Sequence, residues 1–424
     1  MILPSIDMQK GQAVQLIMGE TLAIEAGDPV PIAQRFGQVG QVAIVDLDAA
    51  LGVGNNRAAM TQLLSYALCR VGGGIRDLET AEYWLDAGAH RIILGTAAQP
   101  DLLSKLPRER VIAALDARDG EVVVKGWTQG TGQTVVERMK ALRPYVGGFL
   151  VTFVEQEGRM DGTHIEQVAA LKEAAGNCEL TIAGGITTAD DIRALDALGV
   201  NAQIGMALYT GRLSLADAFT APLVSDRRDG LWPTIVTEVS GEVLGLCYSN
   251  VESVAASLQT GRATYWSRKR GLWEKGATSG NTQELVGISM DCDRDTLRFV
   301  VRQRGEGFCH LEQATCFGTS SGLSALMQRV TQRKENAPQG SYTARLFNEP
   351  ALLAAKLREE AEELAVAVTP DEVIWETADV LYFTMVSAAA SGVTLEQVFD
   401  ELERRARRVT RRGGDAKVEV SCRG

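Results

Sequence analysis

Three aspartates at alternate positions, Asp291, Asp293 and Asp295, enclose a thiol, Cys292. Read as an extended stretch, the three carboxylates line one face and the thiol points from the other. Carboxylates this close repel one another, and either a bound cation or full solvation on a loop relieves them. Cys309 and Cys316 follow, with 16 and 6 residues between successive thiols. Paired knuckles would fill four metal positions. Three thiolates without an evident fourth ligand suggest instead a zinc with one position open to water, against the plainer reading of three buried core thiols. His310, one of three histidines in the chain, adjoins Cys309 and is a candidate proton shuttle.

A second set of acids falls on helical spacing. In residues 350–368, Glu359, Glu360 and Glu363 project together; in 371–390, Glu376 and Asp379 sit at i and i+3. A stripe of acids beside an apolar face is ordinarily solvated. Two such helices packed together would gather these five acids around one hard cation.

The elements that position a third pair, Asp7 and Asp116, form an internal repeat. Short β-branched runs lead into amphipathic segments, the pattern of parallel strands joined by helices. Asp7 returns at Asp116, Gly73 at Gly184 and Gly95 at Gly205, offsets of 109, 111 and 110. Two equal halves of four β/α units predict an eight-stranded barrel with both aspartates at the C-terminal ends of strands. Gly73, Gly74, Gly95, Gly184, Gly185 and Gly205 would let backbone N–H groups approach two phosphates. The result is a site for an elongated bisphosphate with two acids at its middle.

Residues 1–224 resemble the histidine-biosynthesis isomerase that acts on ProFAR, a phosphoribosylated imidazole carboxamide. The motifs PSID, VDLDAA, VGGGIRD, ALDARDGEVVVKGW, DGT and AGGI carry the likeness. It implies a TIM barrel in which Asp7 is the general base and Asp116 the general acid that opens the ribose ring. Thr152 assists, with Arg76 and Trp127 among the substrate contacts. The reaction, an Amadori aldose-to-ketose rearrangement, needs one acid and one base, a division two carboxylates in unlike surroundings can make. The chain departs from the family at Gln15 and Met206, where arginines are common, and at Phe153.

Residues 225–318 resemble phosphoribosyl-AMP cyclohydrolase through WEKGATSGNTQ, MDCDRD, GFCH and ATCFG. That likeness implies a small, mainly β zinc domain. In it Asp291, Asp293 and Asp295 bind Mg2+, and Cys292 completes the zinc site of the other subunit in a homodimer. Arg268, Lys275, Thr278 and Ser279 contact substrate. Residues 319–424 resemble the all-helical phosphoribosyl-ATP pyrophosphohydrolase, including SYTARLF and Lys356 as a substrate contact. Mg2+ at the acid cluster would orient water on the triphosphate.

The three likenesses are successive steps of one pathway, so a multifunctional histidine-biosynthesis enzyme is expected. The alternative is a cyclohydrolase and pyrophosphohydrolase carrying a barrel that binds without catalysing. A formal net charge of -11 argues against nucleic acid or an anionic membrane as partner. No apolar run long enough to span a bilayer and no leader pattern are evident, which makes the cytoplasm the expected compartment.

Overall fold

The computed structural model describes residues 1–410 except 18, 20, 125–128, 157–164, 306, 312, 319 and 320. Trp127 and the DGT motif lie outside the described residues. The chain forms two compact units. One is Met1–Val224 with residues 406–410, the other Ser225–Arg405.

In the first unit eight parallel strands close a barrel: Ile2–Gln9, Gln41–Asp46, Leu68–Gly72, Arg91–Leu94, Val111–Arg118, Gly148–Phe153, Glu179–Ala183 and Asn201–Ile204. Closure comes where Ile2 pairs with Ala202. The intervening helices start where side chains satisfy free N–H groups: Asp28, Asp77 and Thr188 accept from the first turns of Pro29–Gly37, Leu78–Ala87 and Ala189–Ala197.

The repeat extends beyond the sequence expectation, because the first and fifth strands each run on into an antiparallel hairpin. Gln12–Ile17 and Thr21–Gly27 follow the first, Glu121–Val124 and Gln129–Thr134 the fifth. Both begin with a two-residue turn at positive φ, Lys10–Gly11 (51° and 78°) and Asp119–Gly120 (52° and 80°). That geometry matches the twist of the strands it joins.

Ionic contacts cross the barrel at the N-terminal ends of its strands. Arg70 is buried and pairs with Glu179 at 2.5 Å, while its Nε donates to Gln41 (2.7 Å) and Nη1 to Thr181 (3.3 Å). Arg91 meets the other Glu179 oxygen at 2.8 Å. A buried guanidinium is tolerable only when its charge and donors are matched this way.

The second unit contains a four-stranded sheet ordered Val243–Ser249, Trp232–Glu238, Leu297–Gln303, Gln283–Met290, and a hairpin of Thr264–Ser267 with Gly271–Glu274. Five helices follow: Gly322–Glu335, Tyr342–Asn348, Pro350–Val366, Pro370–Ala390 and Leu395–Ala406. Val330, Leu346, Leu353, Phe383 and Val386 form the helical core. Arg302 on the sheet pairs with both oxygens of Glu396 on the last helix, at 2.5 and 3.0 Å. Among the described residues no single helix is long and apolar enough to cross a membrane.

One expectation about local structure is corrected. Asp291–Asp295 is not extended: the strand stops at Met290, and Arg294 turns the chain at φ 68°. The Asp291 carboxylate accepts from the N–H groups of Asp295 (3.1 Å) and Thr296 (3.2 Å), so the chain folds back around it. A turn of this kind, not a pleat, brings the three aspartates together.

Candidate active sites

Asp7 and Asp116 line one cavity of about 380 Å3 together with Thr152, whose register partner on the neighbouring strand is Asp116. Gly73, Gly74, Arg76 and Gly95 line its other side. A small recess of about 40 Å3, bounded by Ser5, Gly184, Gly185 and Gly205, adjoins the end of the first strand. The repeat places the two glycine pairs alike. Gly73 has φ 91° and Gly184 φ 92°, and a Cβ would lie 2.2 Å from Asp46 O at the first and 2.7 Å from Phe153 O at the second. Only glycine permits both the conformation and the approach.

A buried network that the sequence reading did not single out supports the Gly73 side. Asp46 accepts from Ala49 N (3.0 Å), Asn56 N (2.7 Å) and Asn56 Nδ2 (2.7 Å), and Asp48 accepts from Lys10 N (2.6 Å). It ties the Lys10–Gly11 turn to the chain beneath Gly73. Burial pushes the Asp7 carboxyl up to about 7. A carboxyl tuned there can exchange a proton at neutral pH.

In the second unit the structure brings Cys309 and Cys316 together. Burial, then the Cys309 thiol, pushes Cys316 up, while Lys275 pulls it down. Cys292 is exposed. Among the described residues these thiols do not join a group of three candidate ligands within 4.8 Å. His310 is exposed, with Nδ1 3.9 Å from Cys309 Sγ.

Lys275 is buried rather than on an open loop. Its ammonium lies over the Phe308 ring (5.2 Å) and the Trp273 ring (5.8 Å). Burial lowers its pKa, an effect opposed by Cys247, Cys316 and Cys309. Cys247, whose own thiol burial pushes up to about 12, was overlooked because one cysteine in an apolar strand reads as core. Arg268 stacks on Tyr248 at 4.9 Å, and Thr278 and Ser279 are exposed in the following turn.

Asp291, Asp293 and Asp295 offer ligand atoms all within 4.8 Å of one another, as do Glu360, Glu363 and Glu376. Glu359 and Asp379 fall outside that second group. Glu359 instead pairs with Lys356 at 2.9 Å. Burial, then Glu363 and Glu360, raises the Glu376 pKa, and Glu376 Oε2 is buried with no hydrogen-bond partner among the described residues. An orphaned carboxylate oxygen facing two further acids fits a divalent cation.

Residues 1–214 match the family model described as histidine biosynthesis protein. The chain belongs to that family. Residues 245–318 match phosphoribosyl-AMP cyclohydrolase and 323–406 phosphoribosyl-ATP pyrophosphohydrolase. Among similar proteins, the histidine biosynthesis bifunctional protein of Schizosaccharomyces pombe is 55% identical over 207 residues, 49% of this chain and 50% of its own length. The trifunctional protein of Neurospora crassa is 40% identical over 340 residues, covering 78% of this chain and 36% of the relative. A phosphoribosylated imidazole-4-carboxamide isomerase of Halobacterium salinarum is 41% identical over 233 residues, 52% of this chain and 96% of the relative. The chain thus spans half or less of the first two of these histidine biosynthesis relatives.

Proposed function

We propose that this member of the histidine biosynthesis family carries three successive activities. They are pyrophosphate removal from phosphoribosyl-ATP, ring opening of phosphoribosyl-AMP, and isomerisation of ProFAR. The observation that carries the isomerase is one cavity lined by Asp7, Asp116, Gly73, Gly74 and Gly95, with a second glycine-lined recess at Gly184, Gly185 and Gly205, which suits an elongated bisphosphate. Asp7 takes the proton from the sugar C2. Asp116, beside Thr152, gives one to the ring oxygen, and the recesses hold the phosphates still.

The donor sets support two kinds of metal. Zinc would be held by Cys309 and Cys316 with Cys292 of a second copy, since this chain alone brings two of the three thiols together; when bound it supplies activation of water. Mg2+ would be held by Asp291, Asp293 and Asp295, and by Glu360, Glu363 and Glu376, where it supplies neutralisation of phosphate charge. His310 is then the proton carrier nearest the thiols. Lys356 and Arg268 are the cations proposed for substrate phosphates, Lys275 a third from within. The six described cysteines are all unpaired, which suits the reducing cytoplasm as the place of action.

The test is incubation of the full chain with phosphoribosyl-ATP, Mg2+ and Zn2+, resolving products over time. Phosphoribosyl-AMP with pyrophosphate should appear first, then ProFAR, then its ketose isomer. ProFAR bound but never converted would make the barrel a binding scaffold.

A further inference from the structure

The hairpin after the first barrel strand sets beside Asp7 a side chain that neither the repeat nor the acid pattern marks. Gln15 stands on Gln12–Ile17, is 3% exposed, and directs its amide inward. Its Nε2 donates to Asp7 Oδ2 at 3.3 Å and to the Val14 carbonyl at 2.9 Å. Its Oε1 lies on the opposite side, 2.6 Å from the position a Gly205 Cβ would take, with Ser5 Oγ 2.8 Å from the same point. The missing side chain at Gly205 therefore makes the room that Gln15 fills. One carboxamide thus touches the proposed base at one end and the wall of a phosphate recess at the other.

We propose that Gln15 is a positioning residue: it fixes the Asp7 carboxylate against the Gly205 recess by occupying Oδ2, leaving Oδ1 as the atom that accepts the substrate proton. The inference rests on the reading of Asp7 as the base. Among the described residues Oδ1 has no hydrogen-bond partner. The second bond, to Val14 O, holds the amide so that its other N–H must point at Asp7; a free side chain would lose that orientation to rotation. The amide is neutral, so it orients Asp7 without supplying the full charge that would strip its basicity.

The other ionisable groups around Asp7 cannot do this. The Tyr209 hydroxyl donates instead to Ser5 O at 3.2 Å, and Asp46 is occupied by Ala49 and Asn56. Arg76 lines the same cavity, but among the described residues it does not bond to Asp7 and donates instead to Ala50 O at 2.7 Å.

The experiment compares the full chain with Gln15→Met and Gln15→Glu. It uses steady-state ProFAR kinetics across pH and the titration midpoint of Asp7 followed by carboxyl 13C NMR. With Gln15→Met, kcat should fall about 10- to 100-fold while KM changes less than about threefold, because the backbone phosphate contacts are untouched. The Asp7 midpoint should rise by about one unit when the donor is lost. Gln15→Glu keeps the shape but adds a like charge, and should raise the midpoint at least as far. An Asp7 midpoint and kcat unchanged in a folded Gln15→Glu chain would overturn the proposal even where Gln15→Met fails to fold. Wild-type protein that never converts ProFAR would remove the isomerase reading, and the midpoint shift alone would then decide whether Gln15 controls Asp7.

Discussion

Lys356 Nζ stands 2.6 Å from Glu360 Oε1, one turn along the same helix. The ammonium serves Glu360 as an internal counter-ion, and the two acids nearest it, Glu363 and Glu376, have none from this lysine. Glu360 is thus the buried, charge-balanced corner of the cluster. Glu360→Gln should abolish pyrophosphate release from phosphoribosyl-ATP while ring opening of supplied phosphoribosyl-AMP continues. Parallel assays on one preparation check this, and unaltered pyrophosphate release would remove Glu360 from the cation set.

The proposed sharing of zinc between two copies is open to a complementation experiment. Cys292→Ser and Cys309→Ser should each lower zinc per chain and stop ring opening, because a three-thiolate set loses its geometry when one member goes. In a re-equilibrated equal mixture, half the dimers are mixed and each has one intact site, so about a quarter of wild-type activity and zinc should return. A mixture as inactive as its parents would place all three thiols in one copy.

Replacing either barrel acid tests proton transfer. Asp7→Asn or Asp116→Asn should slow ProFAR conversion by about 100- to 10,000-fold. ProFAR should then accumulate from phosphoribosyl-ATP, with its affinity retained. Equal conversion rates in wild type and both variants would mean that other groups move the protons.

The raised Asp7 pKa has two pH consequences of fixed sign. As a base Asp7 must be ionised, so isomerisation should fall as pH drops through about 7. For stability, the folded chain holds the Asp7 proton over the window from about 4 to 7, in which the unfolded chain has already released it. Stability from this group is therefore complete below that window and lost as pH rises through about 7. Asp7→Asn should raise Tm more at pH 8 than at pH 5, by roughly 2–4 °C per kcal/mol recovered. Melting curves at the two pH values check it; equal shifts would mean that burial does not set the Asp7 proton.

Gly73→Ala should damage the recess without touching an acid. Its Cβ would be driven 2.2 Å from the Asp46 carbonyl at a backbone φ of 91°. The loop must move, so KM for ProFAR should rise at least tenfold, about 1.4 kcal/mol, an effect readable in steady-state kinetics. An unchanged KM would show that substrate does not use this recess.

The barrel was legible because its repeat fixes strand spacing and glycine position together. Its hairpins were harder to see. Asp119–Gly120 is a turn signal, yet the strand after it, Gln129–Thr134, is exposed along its whole length and shows no alternation. Gln15 stood out only as a departure from an arginine, and its bond to Asp7 could not be read, because an amide carries no charge pattern and only the folded hairpin sets it there. The alternate aspartates misled for a different reason: residues two apart converge on a turn as readily as they share the face of a strand. Cys292 was assigned to a neighbour's metal from likeness to a family, and that these three thiols form no group within 4.8 Å among the described residues is a property no spacing rule contains.

The ion pairs of Arg70 and Arg91 with Glu179, and the Arg70–Thr181 hydrogen bond, leave the barrel stoppered at its base. Such a vessel has one door. On the proposed isomerase reading, substrate and product would pass the same rim, past Asp7 and the glycine recesses. Product should therefore compete directly with substrate, and any hand-over to the next enzyme must take place at the mouth, never through the core.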